Sequence, residues 1–192
     1  DSPLNPLYQP TEVSTPTGQP FRPREFSEFI GNEAAMQRLK IAVEASKKEQ
    51  RMPPHILLWG SAGTGKTSSA MIVAQALDAH VHIMTGGLLK DEMALMQILV
   101  DCHHKQTAGQ RVVIVIDEVH GLAKGGIPQE AYFSLLEDFI FYHSLKGQYI
   151  QHAGHLHADN PSITNGHRHE ILSDRLTLKP ITFIGMTTDP AL

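Results

Sequence analysis

One octapeptide constrains this chain more than anything else in it: Gly60-Ser-Ala-Gly63-Thr-Gly65-Lys66-Thr67. It meets every fixed position of the phosphate-binding loop pattern. An apolar run, His55-Ile-Leu-Leu-Trp59, comes just before it and fits a buried parallel strand. A helix is predicted just after it, from about Gly65 to Leu77. Each residue type has a physical task. Glycines let the backbone turn its N–H groups inward and approach a phosphate closely. Lys66 offers a compact positive charge to terminal phosphates, and the hydroxyl of Thr67 suits Mg²⁺. A helix that starts here aims its positive end at the anion. Gly60, Ser61, Ala62, Gly63, Thr64, Gly65, Lys66, Thr67 and Ser68 are therefore the expected phosphate contacts.

A second element completes the chemistry. Val112-Val-Ile-Val-Ile116 is an uninterrupted β-branched strand that ends in Asp117-Glu118. In open α/β sheets, ligands bind beyond the carboxyl ends of the strands, which is where these carboxylates would stand. Asp117 is expected to hold Mg²⁺ through water, and Glu118 to act as general base on an attacking water. An acidic pair after a strand is weak evidence alone, and gains weight because it follows the phosphate loop in the right order.

The remaining pattern supplies a scaffold. Residues 1–20 hold five prolines among small polar residues, so they read as a flexible or extended tail. Ala35, Met36, Leu39, Ala42 and Val43 recur at helical spacing between Asn32 and about Glu49. Further strands are predicted at Val81 to Met84 and Ile181 to Gly185, and further helices from Lys90 to about His104 and from Pro128 onward. Ala131, Phe133, Leu135 and Leu136 give the last helix its apolar face, Met93 and Met96 read as core, and His103-His104 suit a helix end. Strands alternating with helices specify a three-layer α/β fold around a parallel sheet, the P-loop NTPase architecture, over 21–192.

Composition narrows the classes further. The net charge of -4 gives no overall basic field for nucleic acid. A single cysteine, Cys102, cannot form an internal disulfide and reads as a small buried filler. No apolar run approaches the ~20 residues of a membrane span, and no secretory signal is visible, so a cytoplasmic location without membrane contact is expected. Position 1 is Asp rather than Met, which suggests a fragment.

With their flanks, the two motifs resemble the AAA+ ATPases, and within them the RuvB-type branch-migration motors. Phe21-Arg-Pro23-Arg-Glu-Phe-Ser-Glu-Phe29-Ile30-Gly31-Asn-Glu33 is similar to the segment with which that family encloses adenine. The resemblance implies ATP as the nucleotide, with Phe29 and Ile30 holding the base. Asp117-Glu-Val-His120 looks like the family's ending of this strand, and Glu137-Asp138-Phe139 sits where a similar triplet occurs. Phe183-Ile-Gly185-Met-Thr187-Thr188 resembles its fourth strand and sensor, with Thr188 best aligned to the polar group that feels the γ-phosphate. The resemblance implies a ring of copies, with an arginine supplied in trans, acting on DNA in recombination, repair or replication. The family's helical lid, with its arginines, would lie beyond Leu192, so this chain alone is expected to hydrolyse slowly. A clamp-loader-like or helicase-loader-like switch, or a nucleotide-gated binding module, are the competing readings.

The stretch from Tyr142 to Leu178 departs from the pattern. It is polar, histidine-rich and longer than a structureless connection should be, so a hairpin or a partner-binding insertion is expected. His152, His155, His157, His167 and His169 could bind Zn²⁺, although they lack the spacing of a helical ligand pair; a solvated, partner-facing loop is the blander reading. Lys146, Arg168 and Arg175 offer only scattered charge for nucleic acid.

Overall fold

The computed structural model describes residues 23–88, 91–124, 126–151 and 168–188. Four parallel strands form the central sheet: β1 (Ile56–Trp59), β2 (Ala79–Thr85), β3 (Arg111–Asp117) and β8 (Thr182–Thr187). Their spatial order is β1-β8-β3-β2. Register aligns Trp59 with Thr187 and Thr85 with Asp117, so the carboxyl ends of all four strands meet along one rim.

Period-two alternation sends neighbouring residues of β3 and β8 to opposite faces. Val113, Val115, Ile184 and Met186 pack beneath α1 (Glu33–Lys48) and α2 (Lys66–Ala76). Val112, Ile114, Ile116 and Phe183 pack beneath α3 (Glu92–Thr107) and α4 (Gln129–Glu137). A strand covered on both faces has no polar side to show, which is why β3 reads as one apolar run. The expected three layers are therefore present.

The helices follow local signals. Met36, Leu39 and Val43 bury one stripe of α1, whose last turn carries Lys47 and Lys48 where the dipole favours cations. In α3, the Asp91 carboxylate caps the first turn by accepting from the Ala94 amide at 2.7 Å. At its other end the buried Gln106 side chain donates to the Lys179 carbonyl at 2.8 Å and accepts from the Lys179 amide at 3.0 Å. That pair clamps the chain as it enters β8. Cys102 is fully buried and Met96 nearly so, as expected, while Met93 is partly buried against the same cluster.

One expectation fails in detail. In α4, Ala131 and Leu135 are buried, whereas Phe133 and Leu136 are exposed. At about 100° per residue, Phe133 lies some 200° round from Ala131, so the two cannot share a face.

The long stretch after α4 becomes an interrupted β-hairpin. Strand β4 (Ile140–Tyr142) pairs antiparallel with β7 (Arg175–Thr177), and β5 (Tyr149–Gln151) with β6 (Arg168–Glu170). Its base is core rather than appendage. Phe141, Leu145, Ile171, Leu176 and Leu178 join the cluster under α3 and α4. The Ser144 amide and hydroxyl both donate to the Glu92 carboxylate at the start of α3, which ties the hairpin to that helix. Residues 1–20, and with them Phe21, lie outside the described residues, as do His152, His155, His157 and His167. Among the described residues, no helix is long and apolar enough to cross a membrane.

Candidate functional site

The loop between β1 and α2 is built by glycine conformations. Gly63 and Gly65 adopt φ of +79° and +85°, a region that side chains enter at a cost of roughly 1–2 kcal/mol. At Gly65 space is short as well, because a β-carbon there would stand 2.6 Å from Cζ of Phe29. Thr64 Oγ1 donates to the Ser61 carbonyl at 2.9 Å, and the Gly60 amide donates to the Thr187 carbonyl at 3.2 Å. The first bond fixes the curl of the loop and the second joins its base to the end of β8. Lys66 Nζ donates to the carbonyls of Gly60 and Ser61 at 2.7 and 2.9 Å, so its ammonium lies within the loop's own arc.

Across from the loop, β3 delivers Asp117 and Glu118. The Glu118 amide donates to Oδ1 of Asp117 at 2.9 Å. Glu118 itself has φ of +50°, rare for a residue with a side chain and a local strain that clusters at functional sites. Two glycines make room for this turn. A β-carbon at Gly86 would stand 2.5 Å from the Glu118 carbonyl oxygen, and one at Gly121 would stand 2.7 Å from the Gly87 nitrogen. The turn after β2 thus packs backbone to backbone against the turn after β3.

Together these pieces enclose a cavity of about 470 Å³ lined by Ala62, Gly63, Gly65, Lys66, Thr67, Ser68, Asp117, Glu118 and Thr188. It combines a cationic amine, hydroxyls, backbone N–H groups at a helix start and two carboxylates, the set needed to bind a polyphosphate and activate water beside it. Oxygen donors from Thr67 and Asp117 on the same cavity suit a hard divalent cation.

The two threonines at the end of β8 separate cleanly. Thr187 is buried, and its Oγ1 lies 3.2 Å from Nδ1 of His120, whereas Thr188 is exposed and lines the cavity. Phe29 rests over Gly65 at the back of the loop, and Ile30 is 95% exposed; neither lines the cavity. Gly60, Ser61 and Thr64 shape the loop through their backbone and hydroxyl bonds. Sequence reasoning missed Gly86, Gly121 and the His120–Thr187 contact. The Gly86-Gly87 pair after a strand was the available signal for the first of these, since adjacent glycines mark close backbone approach.

Known proteins resemble this chain in sequence and fold. Residues 21–149 match the family described as the Holliday junction DNA helicase RuvB P-loop domain. The chain is 34% identical over 171 residues to the Holliday junction branch migration complex subunit RuvB of Fervidobacterium nodosum, covering 89% of this chain and 41% of that protein. The corresponding protein of Mycoplasmopsis pulmonis is 29% identical over 170 residues, covering 88% and 45%. Among solved structures, the RuvB Holliday junction branch migration motor of Thermotoga maritima superposes with a TM-score of 0.60 at 28% identity, covering 87% of this chain and 42% of that one. The chain thus spans less than half the length of these relatives.

Proposed function

Because this chain belongs to the RuvB P-loop family, we propose that residues 21–192 are the ATP-hydrolysing core of a motor subunit that moves branched DNA during recombination and repair. The carrying observation is the cavity that brings Lys66 and Thr67 within reach of Asp117, Glu118 and Thr188. In this reading, backbone N–H groups from Gly60 to Ser68 cradle the phosphates and Lys66 turns its ammonium from the loop carbonyls toward the β- and γ-oxygens. Thr67 and Asp117 hold Mg²⁺, whose charge offsets that of the phosphates. Glu118 takes a proton from the attacking water, and Thr188 positions that water against the γ-phosphate. The burial of Thr187 supports assigning this role to its neighbour. Phe29 and Ile30 flank the adenine end of the site.

The partners follow from the same reading. Copies of the subunit form a ring in which a neighbour's arginine completes each site, a contribution worth about 10³–10⁵ in rate for related NTPases. The hairpin at 142–178 is the surface for a protein partner. Action on DNA in this reading places the protein in the cytoplasm; among the described residues no helix is long and apolar enough to cross a membrane.

ATP turnover by the full-length protein, with and without branched or linear DNA, tests the proposal. Stimulation by branched DNA that vanishes in Glu118→Gln is expected. Turnover indifferent to every DNA would sink the motor reading and leave a nucleotide switch.

A further inference from the structure

The edge strand β2 carries two histidines two residues apart, His80 and His82, which therefore point to the same side of the sheet. That side faces α3, and Asp101 of α3 stands opposite them. Nε2 of His82 lies 2.9 Å from Oδ2 of Asp101, and Nε2 of His80 lies 4.0 Å from the same oxygen. One ligand atom from each of the three residues falls within 4.8 Å of the others. The two imidazoles meet edge to face, with ring centroids 4.8 Å apart.

A simple histidine–carboxylate hydrogen bond does not account for this cluster. His82 is only 7% exposed, and its Nε2 rests 2.9 Å from the Asp101 carboxylate without a well-formed hydrogen bond to it. A buried ring nitrogen left so has exchanged its water for an imperfect contact, which is costly unless another group takes its lone pair. Such a bond would also leave His80 without a reason to face the same oxygen. A shared cation explains both. In tetrahedral coordination with bonds of about 2.0–2.1 Å, ligand atoms stand roughly 3.3 Å apart, inside the range these three span. Two imidazoles and a carboxylate form a set suited to Zn²⁺, and partly exposed His80 and Asp101 leave the fourth position open to water. Lys105 places a positive charge near His80, which works against a cation there.

We propose that His80, His82 and Asp101 form a Zn²⁺ site that staples the sheet's edge strand β2 to α3. It is separate from the nucleotide cavity: in the paired register His80 and His82 stand opposite Val112 and Ile114, short of the rim where Asp117 lies. An edge strand held in this way is also less open to pairing with another chain.

The test uses the full-length protein, stripped of metal, with His152, His155, His157, His167 and His169 replaced by Asn so that the histidine-rich tract cannot contribute. Zn²⁺ is titrated by calorimetry, and Co²⁺ is added in parallel for its tetrahedral visible bands. Binding of one equivalent is expected, weakened more than about tenfold in His80→Asn and in Asp101→Asn, given that even a supporting residue outside the ligand set is worth about that much. Both substitutions are at partly exposed positions, and circular dichroism verifies that each variant is folded. Absence of Zn²⁺ binding, or binding undiminished in either variant, overturns the proposal.

Discussion

The phosphate loop and the hairpin are built on opposite principles. The loop is local: eight consecutive residues, three glycines and hydrogen bonds among near neighbours set its shape. The hairpin is distant: β4 and β7 pair across more than thirty residues, and what holds its base is apolar contact with α3 and α4. The first is a chemical device that any supporting scaffold could present, and the second is part of the scaffold. Damage to one should therefore appear in activity, and damage to the other in stability.

The sharpest break is Glu118→Gln, which removes the proposed base while keeping the side chain's size. It should lower ATP turnover of the full-length protein by about 10²–10⁴-fold with nucleotide binding and melting temperature unchanged, as read by steady-state hydrolysis and thermal unfolding. Phe141→Ala is its counterpart in the hairpin. The ring is fully buried, so the change should cost about 3–5 kcal/mol in denaturant unfolding, with residual turnover per folded molecule near normal. Equal losses of turnover in both variants would erase the distinction.

Gly65→Ala sits between the two. Its positive φ opposes a side chain by about 1–2 kcal/mol, and its methyl group would meet Phe29, so unfolding and nucleotide titration should both show a loss. The smallest effect is a pH response in the hairpin. His143 is buried beside Phe141, and burial holds its pKa below the ordinary 6.5 in spite of Glu92 and Asp174, which pull it upward. The unfolded chain then binds the proton more readily. Stability should be full above pH 6.5 and should fall as the pH drops from there through the lowered native value. Thermal melts of wild type and His143→Gln across that window should converge on the acid side.

The same contrast explains what could be read in advance. The loop, the Asp117-Glu118 pair and the order of strands and helices were legible because each is carried by a short segment with one physical reading. Thr188 could be preferred over Thr187 only by resemblance; in the structure Thr187 is buried and Thr188 lines the cavity. The hairpin was half legible: its length excluded a structureless loop, but the pairing of Phe141 with Leu176 depends on contacts no local window contains. Phe133 and Leu136 misled for a related reason, since hydrophobicity counted along α4 ignored where each residue falls around it. The His80-Val-His82 spacing was visible throughout, but Asp101 completes it from another element.

The backbone contact between Gly86 and Glu118 has a consequence for genetics. Gly86 lies outside the cavity and carries no side chain, yet a single added methyl would collide with the carbonyl of Glu118, the residue proposed as the base. Missense alleles at this codon should be scored with the catalytic class, and a survey that ranks variants by distance to bound nucleotide would pass over them.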